Sequence, residues 1–292
     1  PIIIAATDPD DPPTFTGGVE GIHLIEPEYV ELHDLRFSGQ SGNGLNIDDG
    51  GSFDRPARHV LLQGIRVRDI GPDGNHDGIK LSGLVDFRIE NCSVENWGRG
   101  GSAIDLVGCH RGDISACIFR HGDDAGSSSI QIKGGSADIL VHGNRFEHGG
   151  RRAVNIGGST GLTFFRPSPF AGYEATRITV EGNVFIGSLA PVAFVSALGS
   201  SFRFNTLYRP GRWVLRILQE NTTEGFIPCR DGIFTDNLVL FRRDEVSTIV
   251  NIGPNTAAET FRFARNFWYA LDDPDASTPH LPGVEVDGIS GT

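Results

Sequence analysis

Short runs of alternating apolar and polar residues return along this chain at a steady interval, separated by corners rich in glycine. The recurring run reads Gly44-Leu-Asn-Ile47, Gly78-Ile-Lys-Leu81, Ala103-Ile-Asp-Leu106, Ser129-Ile-Gln-Ile132, Ala153-Val-Asn-Ile156, Val192-Ala-Phe-Val195, Val214-Leu-Arg-Ile217 and Ile249-Val-Asn-Ile252. Successive copies begin 22 to 26 residues apart, or 34 to 39 where a loop intervenes. That interval is one turn of a β-solenoid with corners of variable length. Strand alternation turns the second and fourth positions inward and the first and third outward. The pattern therefore predicts a packed interior with a column of side chains on the surface.

A second strand alternates with these runs and ends on Phe37, Val67, Val94, Phe119, Phe146, Phe185, Leu207, Val239 or Trp268, an internal apolar stack. Two residues earlier runs the column Leu35, Ile65, Cys92, Cys117, Asn144, Asn183, Asn205, Asn237, Asn266. Its last five members predict a ladder of amides that bond to one another and to the turning backbone. The expected fold is all-β: a single-stranded right-handed parallel β-helix of about nine coils, in one domain over residues 1–292. Pro1-Ile-Ile-Ile reads as a strand of a coil already under way, so a cap or leader is expected to precede it, and residues 272–292 read as a C-terminal tail.

These repeats and their asparagine column resemble the pectate-lyase-like superfamily of right-handed β-helices over nearly all the chain. The superfamily holds lyases, hydrolases, epimerases and phage tailspikes, so the resemblance implies a fold more narrowly than an activity. It also implies that substrate lies across the outer face of the recurring strand. The polygalacturonase-like set of Asn-Thr-Asp, paired Asp, Gly-His-Gly and Arg-Ile-Lys is absent, apart from Asp48-Asp49, as is the Asp-Pro-His of alginate epimerases. Asn75-His76-Asp77-Gly78-Ile79-Lys80 is similar to the start of the active strand in some pectate lyases, whose basic residue falls four places after the glycine. Here Ser82 holds that place, and Lys133 occupies the equivalent column two coils on.

Composition narrows the ligand. A formal charge of -12 argues against nucleic acid or an anionic membrane as partner, because both require a positive field,. Thirty-nine glycines, sixteen prolines and no methionine agree with strands between tight corners,. The cysteines Cys92, Cys109, Cys117 and Cys229 have no zinc-like spacing and are expected to be free thiols,. A secreted or periplasmic monomer is the expectation.

Only two lysines occur, Lys80 and Lys133, and both fall on the outward face of the recurring strand. With His76, Asp105, Gln131, Arg151 and Asn155 they are expected within a patch of roughly 15 to 20 Å, neighbouring strands being about 4.8 Å apart. Asn46 and Arg216 extend the column. Long corners at residues 48–58, 157–177 and 218–232 would wall this groove, and the middle one offers Phe164, Phe165, Arg166, Phe170 and Tyr173 for stacking on sugar rings,. Trp97, Arg99, His121, Asp123, Asp124 and His148 are expected on the opposite lip.

A groove keeping both lysines beside arginines suits an anionic, uronate-containing polysaccharide. Elimination from a uronate needs a base, a group that stabilises the enolate-like charge, and an acid for the leaving oxygen. Lys133 or Lys80 would be the base if neighbouring positive charge lowers its pKa, with His76 as alternative. Gln131, Arg151, Asn155 or Arg216 would hold the carboxylate. The resemblance also implies calcium, for which Asp48, Asp49, Asp77 and Asp105 are candidates. Two other readings stay open: a glycoside hydrolase pairing Asp105 with Asp77 or Asp48, and a non-catalytic glycan-binding β-helix.

Overall fold

In the computed structural model, which describes residues 1–122, 128–166 and 170–291, the chain visits three parallel sheets in rotation. The first sheet begins at Ile2–Ala5 and holds 12 strands, the second begins at Thr14–Thr16 and holds 11, and the third begins at Ile22–Ile25 and holds 9. Each strand pairs in parallel with its counterpart one coil away. The third sheet is built from the recurring run, with Asn46 beside Lys80, Lys80 beside Asp105, and Asp105 beside Gln131. Alternation is visible in burial: Leu45 and Ile47 are fully buried while Asn46 and Asp48 are partly open.

Inside, one apolar column runs the length of the helix. Phe119, Phe146 and Phe185 stack with ring centroids 5.0 and 4.5 Å apart, because equivalent positions in successive coils sit one rung apart,. The amide ladder forms as expected. Asn144, Asn183, Asn205 and Asn237 each receive on Oδ1 the backbone N–H of the residue one coil before, at 2.9–3.0 Å, while their Nδ2 groups bond carbonyls inside the bend. Asn266 continues the column. Glu285, which the sequence did not single out, ends it by accepting from Asn266 Nδ2 at 2.7 Å and Trp268 Nε1 at 2.8 Å. Asn205→Ala would strand the buried N–H of Asn183 and remove a hydrogen bond from three further groups, Asn183 Nδ2, Val180 O and Asn237 Oδ1. We expect a loss of about 2–3 kcal/mol in chemical denaturation.

Two readings of the sequence need correction. In the sixth copy, Asn155 pairs with Ala193 and Ile156 with Phe194, so Phe194 points inward and Ala193 holds the outward position. The residues from Asp272 do not simply trail: Glu285–Val286 and Ile289–Ser290 add strands to the first and second sheets. At the other end Ile2–Ala5 pairs with Val30–His33. All four cysteines are free and buried, and burial pushes the Cys109 thiol up to about 12. No helix among the described residues is long and apolar enough to cross a membrane.

Candidate functional site

The outward column of the third sheet runs His23, Asn46, Lys80, Asp105, Gln131, Asn155, Ala193, Arg216, Asn251, one residue per rung. His23 belongs to a first copy of the run, Gly21-Ile-His-Leu24, which the reading of the sequence missed. It contacts Asp48 at 2.7 Å and Glu20 at 3.2 Å, and Asn46 donates to Glu20 at 3.1 Å.

At the centre of the column the two lysines meet on one carboxylate. Lys80 Nζ lies 2.5 Å from Asp105 Oδ2 and 3.2 Å from Asp77 Oδ2, and Lys133 Nζ lies 3.0 Å from Asp105 Oδ1. The Lys133 contact is a close ion pair without the alignment of a hydrogen bond. Asp77 also accepts the backbone N–H of Ser102 at 2.7 Å. Asp77 and Asp105 are each 1% exposed, so the lysines cover the carboxylates and face outward themselves. Burial, then the charge of Asp105, raises Asp77 to about 6. Burial acts the same way on Asp105, but Lys133 and Lys80 outweigh it and hold Asp105 below the usual carboxylate range. For Lys80, burial favours the neutral form, yet Asp105 and Asp77 together push its pKa up.

The expectation of a lowered lysine pKa is therefore wrong for Lys80, since the nearest charges are negative and not positive. Lys133 touches a single carboxylate, that of Asp105. The titration of Asp77 also has a sign for stability. Its folded pKa near 6 lies above the ordinary 3.8, so its contribution is fully present below about pH 4 and is lost as pH rises to about 6,. Once both states are ionised the cost is roughly 3 kcal/mol. Asp77→Asn should flatten that part of the pH-stability curve, which thermal melts across pH 4 to 7 would show.

A strap covers this centre. It leaves the sheet at Gly157, whose φ of +103° and closeness to Val195 O, 1.8 Å from where a Cβ would stand, admit glycine alone,. It bends back across the intervening coils until Arg166 forms a two-point ion pair with Asp49, at 2.5 and 2.7 Å, over the ring of Phe53. Buried Glu174 anchors its base, accepting from Gly134 N, Thr160 N, Thr160 Oγ1 and Asn221 Nδ2. Asn221 is thus a buried structural donor. Between strap and sheet lies a cavity of about 650 Å³ lined by Asn46, Asp48, Phe53, Lys80, Lys133 and Phe164, among others.

Next along the sheet, Ser159 separates this cavity from a second of about 310 Å³, where Gln131, Arg151, Asn155 and Arg216 meet Arg152 and Glu220. Arg152 pairs with Glu220 and donates to Asn155 Oδ1 at 3.2 Å. Arg216 has no carboxylate in ion-pair contact among the described residues. It donates to Asn251 and, with Arg212, lies 4.3 Å from the Trp213 ring. Burial, then the charge of Arg152, lowers Arg216 to about 10. The single positive groove expected from sequence is thus two sites. The lysine cavity is balanced by Asp48, Asp49, Asp77 and Asp105, while the arginine pocket keeps surplus positive charge.

Other expected members lie elsewhere. The His76 ring packs over Gly71 and Gly74 in the preceding corner and does not line the cavity. Phe165 is 4% exposed and packs edge-on to Phe170 and Phe226, a small loop core, so Phe164 is the strap aromatic that reaches the cavity. Tyr173 lies beside Arg177 at the first sheet. Asp48, Asp49 and Asp77 do not converge as metal ligands: His23, Arg166 and Lys80 engage them separately, and no cluster of three such side chains occurs among the described residues. Buried Trp97, with Arg99 and His121, lines a separate cavity at the corner of the second and third sheets, and His148 packs against Gly187. Asp123 and Asp124 lie outside the described residues.

Comparison with known proteins agrees with this architecture. An alginate lyase from Paenibacillus sp. str. FPU-7 superposes with a TM-score of 0.59 at 17% identity, over 87% of this chain and 82% of that one. The tailspike protein of E. coli bacteriophage HK620, in complex with a pentasaccharide, gives 0.54 at 12%, over 91% and 58%. The catalytic domain of a GH87 α-1,3-glucanase in complex with nigerose gives 0.52 at 12%, over 84% and 49%. The chain thus spans only about half the length of the latter two, and at these identities the likeness is one of fold. No curated protein matches the sequence. Residues 20–207 match the model of the right handed beta helix region, and with three parallel sheets wound in register the chain belongs to that family.

Proposed function

We propose that this protein acts on an acidic, uronate-containing polysaccharide as a β-eliminating lyase. The observation that carries the reading is the meeting of the chain's only two lysines on Asp105, at the floor of a strapped cavity that opens beside an arginine pocket. In this reading Arg216, with Arg152, Gln131 and Asn155, receives the carboxylate of a bound uronate. Lys133, in its neutral form, removes the proton beside the carboxylate of the reacting unit. Lys80, held protonated by two carboxylates, faces the enolate-like charge and can return a proton to the leaving oxygen. Phe164 and Phe53 offer faces for a sugar ring.

Elimination is favoured over hydrolysis because the two carboxylates with divergent titration, Asp77 and Asp105, lie beneath the lysines and not against the cavity. Protein cations already engage Asp49, Asp77 and Asp105, so here lysine and arginine, rather than calcium, neutralise the uronate. An alginate lyase and a pentasaccharide-binding tailspike on the same scaffold support a saccharide ligand. The test is incubation with pectate, alginate, glucuronan and glycosaminoglycans, following ultraviolet absorbance and reducing ends together. Lyase action raises both. Reducing ends without absorbance would make the protein a hydrolase, and neither signal would make it a binder.

A further inference from the structure

The second sheet carries a groove that the reaction does not use. Its outer face, over Thr14–Thr16, Arg36–Ser38, Arg66–Arg68, Ser93–Glu95 and Ile118–Arg120, forms a cleft of about 550 Å³. In register, Arg36 lies directly beside Arg66, and Arg68 stands two residues along the same strand face. Like charges on adjacent rungs repel, and a net negative chain has no general need to gather them. Most surface arginines here are neutralised. Arg120, at the far end of the cleft, is 2.6 Å from Glu147, and Glu147 also holds Arg145. Arg66 and Arg68 are exposed, and neither has a carboxylate in ion-pair contact among the described residues. Among the described residues the one carboxylate in ion-pair contact with Arg36 is that of the largely exposed Asp11, at 3.8 Å. The hydroxyls of Ser38 and Ser93 flank the unpaired guanidinium groups.

We propose that this cleft is a second, non-catalytic binding site for a linear polysaccharide bearing carboxylate or sulfate groups. The inference borrows from the proposed function only the class of ligand. Guanidinium groups spaced by rungs of about 4.8 Å suit anionic groups repeated along a saccharide chain, each taken by two parallel N–H donors. The surplus is confined to three arginines between acidic neighbours, too little for the dense charge of a nucleic acid on a protein of charge -12,. Such a site would hold a polymer while the third sheet works on it.

Affinity electrophoresis through gels containing alginate, polygalacturonate, heparin or neutral dextran tests this. It is run in a Lys133→Ala background so that retention does not depend on turnover. Arg66→Gln with Arg68→Gln should weaken retention by a uronate or sulfated polymer at least about fivefold, two charge-assisted contacts being lost. Dextran should retain neither form. Polygalacturonate and alginate against heparin separate carboxylate from sulfate as the favoured group. In the Lys133-intact protein, the double substitution should leave turnover of short oligosaccharides unchanged, a result that lysine substitutions cannot mimic. Arg88→Gln with Arg262→Gln removes the same charge from the first sheet and should change little. Because Arg66 and Arg68 are exposed, circular dichroism should show the wild-type fold. Unchanged retention, an equal loss in the first-sheet control, or retention by a single-stranded oligonucleotide in place of the polysaccharides would overturn the proposal.

Discussion

Lys133→Ala is expected to slow conversion of a uronate polymer by about 10²–10⁴-fold, the usual worth of a positioned general base. The expectation rests on asymmetry between the two lysines. Lys80 is shared by two buried carboxylates, and its proton is held there. Lys133 contacts one oxygen of Asp105 and borders both Gly158 of the strap and the open cavity. Removing its amine takes away the base but leaves the arginine pocket, so KM should move much less than kcat. Lys80→Ala should also lower kcat, yet it exposes Asp77 and Asp105 to each other and should cost stability as well. Steady-state kinetics with thermal melts on both variants separate the roles; equal kinetic and thermal losses for the two would remove the assignment of Lys133.

Asp105→Asn should be the most destabilising single change in the groove, at roughly 3–5 kcal/mol. The amide keeps the volume and one acceptor, but two ammonium groups that shared a carboxylate at 2.5 and 3.0 Å would then face each other with only Asp77 in contact, on Lys80. The penalty is the uncompensated charge, so it should shrink as alkaline pH neutralises lysine. A denaturation midpoint near that of wild type would mean that the cluster is solvated and that its carboxylate adds little.

Much of the fold is legible in the sequence because a solenoid writes its period directly. The alternating run returns in every coil, and glycine starts such as Gly78, where a Cβ would stand 2.7 Å from Ala103 O, mark the early ones before any contact is known. The slip at 192–195 has a physical reason. Ala193 and Val195 face outward yet are buried under Leu218, so no polar residue marks the outer face of that strand. The convergence of Lys80, Asp105, Gln131 and Lys133 follows from alternation and period alone. What was not legible depends on the strap. The Arg166 to Asp49 pair joins residues 117 apart, and Glu174 binds four groups from three separate segments; no local pattern announces either. Nor did spacing show that Asp105 lies beneath the lysines, which reversed the expected direction for Lys80.

The most direct test of the groove is a crystal structure of the Lys133→Ala protein with a uronate oligosaccharide. The saccharide should lie on the third sheet beneath the strap, one carboxylate on Arg216 and a neighbouring unit over the vacated Lys133 position. Saturating ligand that leaves this groove empty, or that binds only on the second sheet, would contradict it.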